Sequence, residues 1–320
     1  VLFRSGERDS RAAELLRVTA ELRVLQTAVE QIAARATLPP SPPSDSAEVE
    51  PEPTAQSASP DAEETPSAPP GALSEAETLA ILQSALSANR VELYAQPIVS
   101  LPQRKRRHFE CLSRIRTDEN EIVVPGVYVN VAERAGLIAG VDNMLLYRCV
   151  QLVRRVQRQN QNLGLFVNIS GHTLADARFF REFVSFMAAN RELAPSLIFE
   201  FAQAHVAGHD AKLRSDLEQL ARLGFRFSMD QVSDLNIDVD DLAARRFRFV
   251  KIDAARLLAA VRAPDAPFDI KRFKAALDRN AIDLIVERIE SEETLVELLD
   301  YNIDLGQGYL FGEPRPAREE

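Results

Sequence analysis

Leu163-Gly-Leu-Phe-Val-Asn168 is an apolar run that ends in a polar side chain, and the chain repeats that pattern. Leu197-Ile-Phe ends in Glu200, and Phe225-Arg-Phe-Ser-Met ends in Asp230. Phe247-Arg-Phe-Val ends in Lys251, and Ile282-Asp-Leu-Ile-Val ends in Glu287. Short runs of branched and aromatic residues read as buried strands. Segments of helical periodicity separate most of them, which gives strand–helix repeats. In a (β/α) barrel the C-terminal ends of the strands converge on one mouth. An amide, several carboxylates and one lysine facing each other there suit a divalent metal and phosphate.

Working outward, strands are expected near Val91–Val99, His108–Arg114, Gly164–Ile169, Leu197–Phe201, Arg226–Asp230, Phe247–Ile252, Ile282–Glu287 and Ile303–Leu305. Helices are expected near Glu75–Ala88, Pro125–Ala135, Asp142–Arg158, Ala175–Asn190, Ala211–Leu223, Phe268–Arg279 and Glu292–Tyr301. Only a short basic loop, Arg104-Lys-Arg-Arg-His108, joins the first two strands, so they should pair antiparallel. That loop reads as a solvated hairpin; its functional reading is attraction of a phosphate ligand or an anionic lipid.

Before the barrel, Leu15, Val18, Leu22, Leu25, Val29 and Ile32 alternate spacings of three and four. That seam predicts a coiled-coil helix in residues 1–36, the alternative being an amphipathic helix packed on its own domain. Residues 37–73 hold ten of the eighteen prolines and many Ala, Ser and Glu. Such a segment buries too little apolar area to offset its ordering entropy and reads as a disordered acidic linker. The barrel domain is then 74–320, opened by the helix-start signal Ser74-Glu-Ala-Glu77.

A hydrophobic content of 46% is enough for a real core, and a net charge of −10 argues against binding a nucleic-acid polymer. Cys111 and Cys149 have no metal-ligand or disulfide-framework spacing and read as reduced, buried thiols. No stretch is long and apolar enough to cross a bilayer. The expectation is a cytoplasmic protein, tethered to the inner membrane if a spanning segment precedes Val1.

From about Thr78 to Pro316 the chain resembles the EAL domain, the cyclic-di-GMP phosphodiesterase family. The residues that carry the resemblance are Tyr94-Ala-Gln-Pro-Ile98, Glu110-Cys-Leu-Ser-Arg114, Ala132-Glu-Arg-Ala-Gly-Leu-Ile138 and Phe166-Val-Asn-Ile-Ser170. Further along come Phe199-Glu200, Lys251-Ile-Asp253, Val286-Glu-Arg-Ile-Glu290 and Gln307-Gly-Tyr-Leu-Phe311, in family order. The resemblance implies an α/β fold, a modified TIM (β/α)8 barrel whose first strand is antiparallel. It implies Mg2+ or Mn2+ ligands at Glu110, Asn168, Glu200 and Asp230. It implies catalytic roles for Lys251 and Glu287, and cyclic-di-GMP contacts at Gln96, Pro97, Glu110, Leu112, Arg114 and Gln307.

Four departures cluster at one place. Gln231 replaces the second of the family's paired aspartates, which weakens metal binding because affinity follows ligand charge. Val232-Ser-Asp-Leu235 replaces a glycine-containing loop, so conformations with positive φ become costly there. Gln203 stands for a second glutamate, and Arg288 replaces a glycine beside Glu287. The resulting expectation is a catalytically impaired domain that binds cyclic-di-GMP and signals to protein partners not identified by the sequence. The alternatives are an active phosphodiesterase giving pGpG and a nucleotide-independent scaffold. The general layout is also similar to that of a flagellar-assembly receptor, which combines a membrane segment, a coiled coil and a degenerate EAL domain; that similarity implies motility, and the N-terminal helix implies self-association.

Overall fold

The computed structural model describes residues 73–158, 163–206, 211–263 and 268–317. The expected coiled coil in 1–36 and all but the last residue of the expected linker lie outside the described residues. Among the described residues ten strands run in chain order: β1 Val91–Ser100, β2 Lys105–Arg116, β3 Ile122–Val123, β4 Gly164–Asn168 and β5 Leu197–Ala202. They continue as β6 Arg226–Asp230, β7 Phe247–Asp253, β8 Asp283–Glu287, β9 Leu305–Gln307 and β10 Arg315–Pro316. Eight of them close a ring in the order β1–β2–β4–β5–β6–β7–β8–β9 and back to β1. β1 is antiparallel to both β2 and β9, and the remaining ring neighbours are parallel. The cause is local. A hairpin of a few residues can join only antiparallel strands, whereas each parallel pair needs a crossover helix. β3 and β10 add short antiparallel edges to β2 and β1.

Side chains alternate along a strand, so residues two apart face the same way. That period lines the lumen in two layers. Ile98, Phe166, Ile198, Phe249, Ile285 and Leu305 form one buried apolar cluster. Phe166 and Phe249 meet edge to face at 4.8 Å, and the His108 ring packs edge-on against both. Two residues further toward the mouth on the same strands stand Gln96, Asn168, Glu200, Lys251, Glu287 and Gln307. The sequence alternation therefore writes an apolar floor and a polar mouth into each strand. The alternate positions, among them Phe199, Phe201, Phe227 and Val250, face outward into the larger core beneath the helices.

The helix Glu75–Ser87 begins with a complete capping box between Ser74 and Glu77 and packs on Pro125–Arg134. The expected helix Ala175–Asn190 is two helices, Gly171–Ala175 and Ala177–Ala189, divided at Asp176. Two further helices, Val239–Ala244 and Ala254–Arg262, were not expected. The first is too short to show a period. Both are announced by aspartate caps, with Asp238 and Asp253 accepting from backbone N–H groups. The last strand is Leu305–Gln307 and not Ile303–Leu305, which puts Gln307 itself on the sheet. Cys111 and Cys149 are buried and free. In the β1–β2 hairpin Arg104 is paired with Glu292, whereas Lys105 and Arg106 are exposed. Among the described residues no helix is long and apolar enough to cross a membrane.

Candidate active site

Lys251 is the centre of the mouth. It lies on β7, is fully buried, and faces four carboxylates from four other strands. Its Nζ is 2.9 Å from Glu110 Oε2, 3.3 Å from Glu200 Oε1, 3.5 Å from Glu287 Oε2 and 3.8 Å from Asp230 Oδ1. Burial alone would push the ammonium down. The four carboxylates outweigh it and raise Lys251 well above the ordinary lysine value.

The carboxylates divide. Burial pushes Glu110 up, but Lys251, with hydrogen bonds from Gln307, Lys251 and Asn168, outweighs burial and holds it below the ordinary range. Glu200 is fully buried without such donors, and burial with three neighbouring carboxylates raises it well above that range against the pull of Lys251. Glu287 is raised from 4.5 to about 7, first by burial and then by Asp230 and Glu110, against Lys251 and Arg288.

On one flank the side chains form a connected network. Asn168 Nδ2 donates to Glu110 Oε1 at 3.1 Å. Gln307 Nε2 donates to Glu110 Oε2 at 2.6 Å and to Gln96 Oε1 at 3.0 Å. Gln96 Nε2 donates to the Gly312 carbonyl at 3.2 Å. Gln96 is directly across from Glu110 in the β1–β2 register, and Pro97 follows it on β1. Gly308 supports this flank. Its φ is +152°, and a Cβ there would lie 2.1 Å from the Ile289 carbonyl oxygen, so any side chain would push the turn off the backbone of 289. Leu112 and Arg114 share the Glu110 face of β2. The Arg114 guanidinium is 5.3 Å from the centroid of the Tyr94 ring and donates to the Ser113 carbonyl at 2.9 Å.

The other flank follows β6 and β8. β6 ends at Asp230, and Gln231 is exposed with φ +51°. Arg288, which follows Glu287, has φ +58°. Positive φ was expected to trouble Val232–Leu235 once the glycines were gone. The strain falls instead on Gln231, one residue earlier, and none of the four loop residues has positive φ. Gln203 explains the loop's shape. It sits just past β5, at the start of the short helix Gln203–Val206. Its Oε1 accepts from Ser233 N at 2.8 Å and Asp234 N at 2.9 Å, and its Nε2 donates to the Asp234 carbonyl at 2.7 Å. Arg256 Nη1 donates to the Ser233 carbonyl at 3.1 Å. The sequence singled out Gln203 as a departure but gave no role for it, and gave no sign of Arg256.

The donor chemistry of the mouth fits one hard divalent cation. Both oxygens of Glu200 and Oδ1 of Asp230 are buried without a hydrogen-bond donor, and buried acceptors of that kind need a cation or a proton. Glu110, Asn168, Glu200 and Asp230 would hold it, and it would supply Lewis acidity and a hydroxide at neutral pH. Among the described residues no three acidic, histidine or cysteine side chains are already gathered into a metal cage.

The closed barrel, the carboxylate ring around a lysine and the Glu110-Cys-Leu strand define a protein class. The EAL domain model matches residues 79–314, and the chain belongs to that family. Among curated relatives it is 27% identical over 236 residues to the cyclic di-GMP phosphodiesterase PdeF of Escherichia coli, covering 73% of this chain and 31% of PdeF. It is 24% identical over 247 residues to the cyclic di-GMP phosphodiesterase RocR of Pseudomonas aeruginosa, covering 77% of this chain and 63% of RocR. The chain thus spans about a third of PdeF and under two thirds of RocR. Among solved structures, the FimX EAL domain of Pseudomonas aeruginosa bound to c-di-GMP is 25% identical, with a TM-score of 0.61 over 74% of this chain and 96% of that one. The PaMucR phosphodiesterase in its c-di-GMP complex, 24% identical with a TM-score of 0.65 over 75% of this chain and 98% of that one, shares the fold.

Proposed function

We propose that this domain binds cyclic-di-GMP at the barrel mouth, is impaired in hydrolysing it, and signals occupancy to protein partners. The observation that carries the reading is the contrast between the two flanks. Gln96, Glu110 and Gln307 are hydrogen-bonded into one ligand-facing row, with Pro97, Leu112 and Arg114 beside them. Across the mouth, a neutral and exposed Gln231 follows Asp230, and Gln203 holds Ser233 and Asp234 through four hydrogen bonds. Removing one formal charge from a site for two dications weakens the second ion most. Without it, the attacking and leaving oxygens are not both stabilised. Lys251 and Glu287 would be vestiges of catalysis in that case. The apolar repeat at 15–32 would pair two chains, and the acidic segment 37–73 would tether the barrels to that pair.

Glu110, Asn168, Glu200 and Asp230 favour a second reading, a slow phosphodiesterase that works with one Mg2+ or Mn2+ ion. One experiment separates the two. Calorimetry with cyclic-di-GMP, with and without Mg2+, is run beside chromatography for pGpG. The expected result is binding in both conditions and no appreciable pGpG. Gln231→Asp should strengthen metal binding and recover part of the activity. Wild-type turnover on the order of 1 per second would overturn the impaired-enzyme reading.

A further inference from the structure

We infer that Arg288 is a ligand-binding residue of this chain, gripping a phosphate of the bound cyclic dinucleotide opposite Arg114. The inference rests on the binding reading above and goes beyond it by naming what replaces a metal ion. Glu110, Glu200, Asp230 and Glu287 surround a single Lys251. A cyclic dinucleotide adds two phosphodiester anions to that ring. Without divalent ions, arginines at the rim must offset them.

Two arginines flank the Gln96–Gln307 pair. Arg114 is on β2 and Arg288 follows β8, with β9 and β1 between. Three strand spacings separate them, about 14 Å of sheet. That gap can be bridged by a two-phosphate ligand and two arginine arms. Arg288 has the attributes of an uncommitted arm. Its side chain is 76% exposed, and its only ion-pair contact among the described residues is one of 3.5 Å to Asp253. Other arginines of the domain hold their carboxylates by two nitrogens: Arg116 on Glu92, Arg104 on Glu292 and Arg262 on Glu297. Asp253 is already engaged, since its Oδ1 caps the helix Ala254–Arg262 by accepting from Arg256 N at 3.0 Å.

The surroundings have room for a ligand. On the β6–β8 side of the mouth Arg288 lines an open cleft of about 880 Å³ with Gln231, Asp234, Asp253, Arg256 and Glu287, a cleft that Gln96, Arg114 and Gln307 do not line. Its backbone adds a second indication. A side chain at φ +58° is strained, and glycine would relieve that strain. Strained backbone of this kind persists at ligand clamps and active sites. Asp253 and Glu287 are anions beside the arm, so a phosphate must displace the long Asp253 contact to reach it.

The test is calorimetric titration of the full chain with cyclic-di-GMP in EDTA and again in Mg2+, for wild type, Arg288→Ala, Arg288→Gly and Arg288→Lys. Arg288→Ala and Arg288→Gly should each weaken binding in EDTA by tenfold or more, and Arg288→Lys by less. Arg288→Gly should at the same time keep or raise the thermal midpoint, which separates a ligand contact from a structural role. Equal affinity of wild type and both truncations in EDTA overturns the inference and leaves the binding reading standing. Wild-type binding that appears only with Mg2+ overturns it as well, because the metal then does the work assigned to Arg288. A wild type that binds in neither condition overturns the binding reading and this inference together.

Discussion

The two flanks of the mouth are built on different principles. On the β9–β1–β2–β4 flank, polar side chains satisfy one another, as Asn168 and Gln307 donate to Glu110 while Gln307 also reaches Gln96. On the β5–β8 flank, the carboxylates of Glu200 and Asp230 keep unsatisfied oxygens, and the loop beyond them is held by Gln203 and Arg256 instead. The first flank is ready-made for a ligand that accepts and donates hydrogen bonds. The second keeps buried acceptors without a donor, followed by the neutral and exposed Gln231. Loss of chemistry and retention of recognition can therefore occur side by side, because the two depend on different strands.

The largest expected effect comes from the residue that joins the flanks. Lys251→Met leaves four carboxylates around an apolar side chain, and breaking a buried charge cluster in this way costs about 3–5 kcal/mol. Urea denaturation at pH 7 measures it. The deficit should shrink toward pH 5, where the raised carboxyls hold protons. A deficit that is the same at both pH values would break the picture of Lys251 as the charge bridge.

Arg114→Ala probes the ready-made flank. It should weaken cyclic-di-GMP binding by about 2 kcal/mol, through loss of a charge-assisted phosphate contact. Calorimetry reads this directly, and an unchanged dissociation constant would remove Arg114 from the ligand site. The unfolding free energy should barely move, since Arg114 lies on Tyr94 and on a neighbouring carbonyl.

Glu287 sharpens the comparison from the other side. Its carboxyl is raised from 4.5 to about 7, so between those values the folded protein holds a proton that the unfolded chain releases. Stability from this group is therefore present at low pH and lost as pH rises toward 7. Glu287→Gln removes that loss. The stability–pH curve of the variant should be flatter than that of wild type between pH 5 and 7, by on the order of 2 kcal/mol. Parallel curves would contradict a raised Glu287.

The smallest effect belongs to the loop. Gln203→Glu keeps the bonds accepted from Ser233 N and Asp234 N. It loses the bond donated to the Asp234 carbonyl and sets oxygen against oxygen. A loss of about 1 kcal/mol is expected, with faster amide exchange at Ser233 and Asp234. Unchanged exchange would mean that Gln203 does not hold the loop.

Much of this was legible along the chain. The alternation that puts Phe166 below Asn168, Ile198 below Glu200 and Phe249 below Lys251 is a period of two, and a period is a property of sequence. So are the short hairpin that forces β1 antiparallel and the order of polar strand ends that marks the site. The amino-acid sequence by itself thus determined a barrel, its mouth and the residues that line it.

It did not determine what those residues do to one another. That Glu110 is held below its ordinary range while Glu200 is driven above it depends on which donors reach each carboxylate. Those donors come from residues 58 to 197 positions away from Glu110. The clamp on Ser233 and Asp234, in the loop just past the strained Gln231, reaches from Gln203, thirty residues before Ser233. The exposed and nearly unpaired Arg288 was also hidden, because its pairing depends on whether Asp253 is engaged elsewhere. Electrostatic and hydrogen-bond energies vary with distances of a few ångströms between strands far apart in sequence, and only closure of the barrel fixes those distances.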